Sequence, residues 1–165
     1  MKSIRSRGMG THTGIMLVIA LVVAARCEAA TIVKTNNTDS LNLGSSWVGG
    51  VVPGSTDVAK WDSTVVGANS VLLGADTRWQ GLAVDSTHAA GDVTIGTGNT
   101  LTLGSSGISY IPNISLTLNC NVALATDQLW TLTTGFFNGP PIDMQGHTLT
   151  ISGGSSKFVG NVTNG

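Results

Sequence analysis

Short apolar runs separated by glycine and asparagine are the feature of this sequence that most restricts its fold. In several runs two apolar residues flank a threonine, so the apolar side chains face one way and the threonine faces the other, as in a strand. The clearest runs are residues 93–95, 101–103, 116–118 and 149–151. No window beyond the N-terminal segment shows the 3.6-residue period of an amphipathic helix. The pattern predicts an all-β chain.

Some of these runs resemble one another. Residues 98–104 are echoed by residues 146–152 in the pattern G-[NH]-T-L-T-[LI]-[GS], and an Asp precedes a Trp by three residues at both Trp79 and Trp130. The echoes lie about fifty residues apart, and self-similarity over such distances is typical of repeat proteins. Glycine and asparagine suit the sharp corners of a β-solenoid because they tolerate positive φ angles.

These patterns predict a parallel β-helix, or β-solenoid, of a few coils. Most apolar runs are shorter than the five or six residues of a typical sandwich strand, and two-residue hairpin turns between strands are missing. An antiparallel β-sandwich is the alternative fold, above all for residues 45–90. That region is rich in tryptophan and could also cap a stack of coils.

Residues 1–29 are predicted to be a helical, cleavable secretory signal peptide. Their first seven residues carry three basic side chains, Lys2, Arg5 and Arg7. An apolar run over residues 15–25 and small residues around Ala29 follow. The apolar run is about half of the roughly 20 residues that a transmembrane helix needs. We expect cleavage after Ala29, transient contact with the secretion machinery and the membrane, and a protein that is secreted or attached to the cell surface.

Beyond the signal, a polar lead-in (residues 30–45) is predicted to precede a β-solenoid region (residues 46–165). This part of the chain has four basic residues and eight aspartates, a net charge of −4. Without a basic cluster it lacks the electrostatic footprint of a nucleic-acid-binding protein and of a protein that binds anionic lipid. The chain ends in a Gly- and Asn-rich stretch with no closing element, so we expect the solenoid region to be truncated at its C-terminus.

Side chains that could carry catalysis are few. His88 is predicted to lie solvated in a loop, and His147 is predicted to lie in a turn. Cys120, the one cysteine beyond the signal, lies in a strand-like run and is predicted to be a buried apolar residue. No nucleophile elbow, zinc-ligand spacing or complete dinucleotide fingerprint occurs. We therefore expect no enzymatic activity, no metal site and no cofactor.

The tryptophans and aspartates are the remaining candidates for a site. Trp61 and Trp79 lie in apolar runs and are predicted to be core residues, whereas Trp47, next to Gly-Gly, is the candidate for exposure and for stacking on a sugar ring. Most aspartates stand beside Gly, Ser or Thr and are predicted to bond turn amides. Asp62, which follows Trp61, is the least certain of these. Trp47 and Asp62 are thus the candidate ligand-binding residues.

Residues 47–62 read W-x-G-G-x-x-P-G-x-x-D-x-A-x-W-D. Together with residues 73–76, 93–103 and 127–130, this segment resembles the opening of bacterial proteins with autotransporter-associated β-strand repeats. The resemblance implies a right-handed parallel β-helix of passenger type with a structural or adhesive role at the cell surface, where glycans or other extracellular macromolecules are its partners. The dense G-x-G-T-L-x-L-x-G units of that family are barely represented, and no C-terminal translocator barrel is found.

Two alternative functions stay open. The first is an extracellular carbohydrate-binding module that uses exposed Trp and Asp side chains. The second is a polysaccharide-degrading β-helix enzyme, for which the pairs Asp57/Asp62 and Asp85/Asp92 are candidates. Such an enzyme requires two carboxylates within about 10 Å of each other in an open groove.

Overall fold

The chain folds into short strands joined by turns. The computed structural model describes residues 29–88, 91–111, 114–133, 136–153, 157–159 and 162–163. The predicted signal peptide, except its last residue, lies outside this part. One 3-10 turn, η1 (Gly44–Ser46), is the single helical element of the described residues. The described strands are β1 (Thr31–Val33), β2 (Val58–Trp61), β3 (Asn69–Val71), β4 (Thr77–Val84), β5 (Val93–Ile95), β6 (Thr100–Tyr110), β7 (Ser115–Leu118), β8 (Asn121–Leu124), β9 (Gln128–Leu132), β10 (Phe136–Asn138), β11 (Ile142–Asp143), β12 (Leu149–Ser152), β13 (Lys157–Val159) and β14 (Val162–Thr163).

Each of these strands pairs in parallel with a strand of the neighbouring coil. In the ladder β3–β5–β7–β10–β13, Val71 pairs with Ile95, and Leu116 pairs with Phe137. Parallel neighbours cannot be joined by tight hairpins, so the chain travels once around the molecule between partners. The structure is therefore a β-solenoid of about 5 turns, which confirms the predicted fold. The antiparallel alternative for residues 45–90 is wrong, because β2, β3 and β4 all pair in parallel.

The coils have three faces, which we name A, B and C. Face A consists of the first halves of β4 and β6, followed by β8, β11 and β14. Face B consists of β1, β2, the second halves of β4 and β6, β9 and β12. Face C is the ladder β3–β5–β7–β10–β13. Faces A and B form one continuous sheet, because β4 and β6 bend across the corner between them.

The repeat that the structure uses is shorter than the predicted one. On face C one coil leads from Val71 to its partner Ile95, and another leads from Leu116 to its partner Phe137. Each of these steps is about half of the spacing between the sequence echoes. The echoed residues also occupy different faces, because Leu101 lies on face A and Leu149 lies on face B. The echo therefore reflects similar turn sequences before strands. Its spacing of about fifty residues is not the length of one coil.

Inward-facing apolar side chains of the three faces form one core. The alternation predicted for residues 93–95, 101–103 and 116–118 is confirmed; Val93 and Ile95, for example, are buried, and Thr94 between them is half-buried. The prediction is wrong for residues 149–151, where Leu149 is half-buried and Ile151 is exposed. Trp61 and Trp79 are fully buried, as predicted, and so is Trp130. Each removes on the order of 200 Å² from water, which is a large contribution for so thin a solenoid.

The lead-in does not remain irregular but closes the N-terminal end of the solenoid. On the edge of β1 opposite β2, the N–H of Val48 donates to the carbonyl of Val33 at 2.8 Å, and the N–H of Thr35 donates to the carbonyl of Ser46 at 2.9 Å. A free strand edge would offer a template for unwanted pairing. Residues 34–50, which we name the N-terminal cap, occupy that edge with an antiparallel bridge.

A buried lysine fixes the conformation of the N-terminal cap. The Lys34 ammonium donates to the Thr35 carbonyl, the Asn37 carbonyl and Asn37 Oδ1, at 3.0, 2.8 and 2.7 Å. All three ammonium protons thus have an acceptor, as a buried cation requires. Burial lowers the pKa of Lys34 to about 8, against the raising effect of the Asp39 carboxylate.

Aspartates immediately before strands connect one coil to the next. In each case the carboxylate accepts the backbone N–H of the residue stacked on it in the following coil. The pairs are Asp76 with Thr100, Asp92 with Ser115 and Asp127 with Thr148, each at 2.8 Å. One such hydrogen bond precedes a strand on each face, so the same interaction stabilises a corner before each of the three faces. A bond of this kind satisfies the first N–H of a strand, where the ladder itself supplies no acceptor.

Substituting Asp76 tests this device. We expect Asp76→Ala to lower the free energy of unfolding by about 1 kcal/mol, because the Thr100 N–H loses a charged acceptor at a site that water can still reach. Asp76→Asn keeps an acceptor oxygen and should recover about half of the loss. Urea denaturation of the three proteins measures both values. Equal losses for alanine and asparagine would show that the acceptor oxygen is not what stabilises the corner.

Candidate functional site

Trp47 is buried, and the prediction that it is exposed is wrong. Its side chain is 2% exposed, and its indole N–H donates to the carbonyl of Leu41 at 2.8 Å. Its ring meets the edges or faces of Trp61 and Trp79 at centroid distances of 5.9 and 5.8 Å. The flanking Gly-Gly indicated a surface loop, but the loop folds back and places the indole over the end of the core. Neither face of this ring is open to a sugar.

Asp62 lies at the corner between faces B and C, stacked on Asp85 of the next coil. The two carboxylates share one cation, because Lys60 Nζ lies 2.6 Å from Asp85 Oδ2 and 3.8 Å from Asp62 Oδ2. Each aspartate also opens an Asp-Ser-Thr corner. Asp62 Oδ1 accepts the N–H of Thr64 at 2.9 Å, and Asp85 Oδ1 accepts the N–H of Thr87 at 2.7 Å. The predicted turn-amide bonds are confirmed at both positions.

The carboxylates that meet are not those paired in the sequence analysis. Asp57 accepts the N–H of Gly54 at 2.8 Å, and Asp92 accepts the N–H of Ser115. Asp62 and Asp85 come together because Trp61 and Val84, the residues before them, are register partners. The length of each coil decides which residues become neighbours on a solenoid. The length of the coil between Asp62 and Asp85 could not be recognised in the sequence.

The charges of this cluster are fixed by mutual hydrogen bonding. Burial alone would raise the pKa of Asp85, but hydrogen bonds from Lys60 and Thr87 outweigh it and lower the pKa to about 2. The hydrogen bond to Asp85 in turn raises the pKa of Lys60. Asp85 is therefore a permanent carboxylate at neutral pH. A glycosidase needs a general acid that holds its proton near neutral pH, and Asp85 is not suited to that role.

The pKa of Asp85 gives a pH-dependent prediction. Because its folded-state pKa is depressed below the ordinary value of 3.8, its stabilisation is fully present above about pH 4 and is lost as the pH falls toward 2. We expect Asp85→Asn to lower the free energy of unfolding by about 1 kcal/mol at pH 7. The difference between the two proteins should shrink steadily below pH 4. Urea denaturation at pH 7, 4 and 2.5 measures this; a difference that does not change with pH would contradict the assignment.

The two histidines differ in their surroundings. The prediction that His88 is solvated is wrong, because the side chain is fully buried and its Nδ1 lies 2.9 Å from the carbonyl oxygen of Val65. His88 Nε2 and Trp79 Nε1 are buried without a hydrogen-bond partner among the described residues. The turn predicted at His147 is confirmed, since its N–H donates to the carbonyl of Met144 at 2.7 Å.

Other chemistry-bearing groups do not gather into a site. Cys120 is buried as predicted, and burial raises the pKa of its thiol to about 11, so it is not a thiolate nucleophile. In the described part of the chain, no three His, Cys, Asp or Glu side chains lie close enough together to share a metal ion. Within those same ranges, no helix has the length and apolar character needed to cross a bilayer.

A groove of about 430 Å³ runs along the outer side of face A. It crosses three successive coils, through strands β6, β8 and β11. Its walls carry polar side chains and one proline ring, and strand β8 lies between them at the buried residues Val122 and Ala123. The wall residues are Thr100, Asn121, Pro141, Asp143 and Gln145.

The groove arises because Ala123, one of the outward-facing residues stacked along face A, has a small side chain. Ala123 pairs with Thr102 of the preceding coil and with Asp143 of the following coil, so it lies between two larger side chains. A methyl group at this position leaves a depression in an otherwise level face. Gln145 closes one end, where its N–H and its side-chain amide donate to Asp143 Oδ1 and Oδ2 at 3.0 and 2.7 Å.

Sequence reasoning missed this groove. One signal was present: Asn121-Val-Ala-Leu replaces the usual outward threonine by alanine, whereas the neighbouring runs keep threonine. Recognising its meaning requires the coil register, because the walls come from residues 100, 121 and 143, which are far apart in the sequence. The groove lies on face A, and Asp62 lies at the corner between faces B and C, so the predicted site residues are not part of it.

Comparison of the chain with protein-family models, with curated proteins and with solved structures finds no match.

Proposed function

We propose that this chain is a structural or adhesive module of a secreted or cell-surface β-solenoid protein, without enzymatic activity. The observation that carries the proposal is a stack of parallel coils whose N-terminal end is closed by a dedicated cap. Solenoids form long, regular outer faces in which each coil contacts only its neighbours. Such a shape suits spanning a distance and presenting a surface.

The outer surface supports a display role. It is covered mainly with Thr, Ser and Asn, and most of its aspartates are engaged in corners rather than gathered in a cleft. The predicted export signal and the resemblance to autotransporter-associated β-strand repeat proteins point the same way. Export, membership of that family and location at the cell surface are therefore parts of this proposal.

A polysaccharide-degrading enzyme is the less favoured alternative. Asp62 and Asp85 satisfy its requirement for two neighbouring carboxylates, since both lie within 3.8 Å of the same Lys60 ammonium. However, hydrogen bonds keep Asp85 ionised, and both carboxylates accept a backbone N–H in their own turn. This cluster is better explained as a stabilising ion-pair network than as an acid–base pair.

Processing and location test the proposal. The full chain is expressed in a bacterial host, the culture is fractionated, and the N-terminus of the recovered protein is sequenced. We expect protein outside the cytoplasm that begins at Ala30, since the predicted cleavage follows Ala29. Leu21→Arg, which places a charge in the apolar run, is the matched control and should stay unprocessed inside the cell. Wild-type protein that keeps Met1 and remains in the cytoplasm would contradict the proposal.

A further inference from the structure

The groove on face A contains two polar side-chain groups that no other described residue hydrogen-bonds. The Thr100 hydroxyl and the Asn121 side-chain amide have no hydrogen-bond partner among the described residues, although both line the groove. Asn121 is exposed and Thr100 is half-buried. Thr100 pairs directly with Asn121 in the face A register, so a hydroxyl and an amide lie side by side on neighbouring coils. Together they offer donors and acceptors to one ligand.

The opposite wall of the groove is held in a fixed position. Gln145 adopts a φ of +49°, a left-handed conformation that is costly for a residue with a side chain. It is the one described non-glycine residue with a positive φ. Both of its hydrogen bonds to Asp143 hold it there. Strain of this kind clusters at binding sites, where neighbouring contacts maintain a geometry that the backbone alone would not choose.

The lining selects the chemistry of the ligand. The polar groups are a hydroxyl, two side-chain amides and a carboxylate, and the exposed ring of Pro141 adds apolar surface. Among the described residues no lysine or arginine lines the groove, and the exported chain carries a net charge of −4, so an anionic ligand is disfavoured. A ligand with many neutral hydroxyl groups on an apolar frame fits this set. The volume of about 430 Å³ lies within the range of roughly 300–1,000 Å³ of small-molecule sites.

We infer that the face A groove binds a short neutral saccharide, with Thr100 and Asn121 as direct hydrogen-bonding residues and Asp143 as the positioning residue for Gln145. The inference rests on the proposed adhesive function and gives it a ligand class and a site. It replaces the earlier candidate, Trp47, with residues that solvent can reach. Binding here needs no aromatic platform, because adjacent amides and hydroxyls can pair with neighbouring sugar hydroxyls.

Binding of the full chain to immobilised glycans tests the inference. The array carries neutral oligosaccharides of glucose, mannose, galactose and N-acetylglucosamine, together with uronate-containing and sulfated glycans. We expect binding to at least one neutral class and no preference for the anionic ones. The double variant Thr100→Val and Asn121→Ala, which keeps the size of Thr100 but removes the groove's free polar groups, should weaken that binding at least tenfold.

A matched control makes the same chemical changes away from the groove. Thr94→Val and Asn119→Ala lie on face C and at the corner that follows it, and this double variant should bind like the wild type. Circular dichroism melting verifies that both variants remain folded, and Asn121→Ala alone serves if the groove double variant does not fold. Absence of glycan binding by the wild type, equal loss in both variants, or preference for anionic glycans would each overturn the inference. Binding is measured independently of cell location, so its failure leaves the test of export unaffected.

Discussion

Replacing Trp47 with alanine is expected to lower the free energy of unfolding by about 3–5 kcal/mol, the usual cost of deleting a buried tryptophan. Its indole contacts the rings of Trp61 and Trp79 edge-on and donates to Leu41. The substitution therefore removes two aromatic contacts and leaves a buried carbonyl without its donor. Domains of this kind have total stabilities of about 5–15 kcal/mol, so the loss is a large fraction of the whole.

Trp47→Ala should also open the N-terminal cap. Once the cap separates from β1, that strand presents an unpaired edge, and we expect the variant to self-associate in a concentration-dependent manner. Val48→Ala is the matched control, because Val48 is the adjacent residue and is 53% exposed. It should change stability by less than about 0.5 kcal/mol. Guanidinium denaturation and light scattering measure the two effects; a Trp47→Ala protein as stable as Val48→Ala would contradict the structure of the cap.

Replacing Gly107 with alanine is expected to cost about 3–4 kcal/mol, because backbone strain and a steric clash add together. Gly107 lies where β6 bends from face A to face B and has a φ of +55°. A Cβ atom there would lie 2.6 Å from the carbonyl oxygen of Leu129 and 2.8 Å from Trp130 Cδ1. The first of these atoms is backbone of the next coil, so the coils would have to separate to make room.

Gly146→Ala separates the two causes. Gly146 has a φ of +77°, but within the described ranges no atom beyond its two chain neighbours lies within 4 Å of the position that a Cβ would occupy. This control should therefore cost only the strain of the left-handed conformation, about 1–2 kcal/mol. Thermal or chemical denaturation of both variants gives the difference. If Gly107→Ala costs no more than Gly146→Ala, the close approach of the coils at face B is wrong.

The fold was predictable from the sequence because the pattern within most short runs is enough to predict a strand. A run such as Val93-Thr94-Ile95 specifies which side chains face inward, and glycine at the corners specifies where the chain turns. Trp61 and Trp79 could be assigned to the core because they lie within such runs. The length of a coil could not be derived in the same way. The corners differ in length from one coil to the next, and this variation hides the true period beneath chance echoes.

The candidate site was less predictable, because it depends on which coils are adjacent. Trp47 stands among glycines, a context typical of a surface loop, and only the tertiary structure turns it inward. His88 stands among small residues, a context that also suggested a surface loop, yet its side chain is buried. Conversely, the groove depends on Ala123 lying between Thr102 and Asp143, residues that approach one another only after the coils have stacked.

The N-terminal cap, the aspartate bonds between coils and the face A groove all depend on the parallel register of the coils. Face C gives direct access to that register, because the outward side chains of Ser70, Thr94 and Thr117 form one column. Neighbouring parallel strands lie about 4.8 Å apart. Two steps along the column therefore place Ser70 and Thr117 about 10 Å apart.

The most direct measurement uses nitroxide labels on this column. Ser70→Cys and Thr117→Cys are combined in a background in which both native cysteines are replaced, Cys27→Ala and Cys120→Ala. The protein is labelled and studied by continuous-wave electron paramagnetic resonance, with singly labelled proteins as the reference for intermolecular coupling. The solenoid predicts strong dipolar broadening from labels that lie about 10 Å apart along the backbone. A doubly labelled spectrum that equals the sum of the two singly labelled spectra would contradict the stacking of these coils.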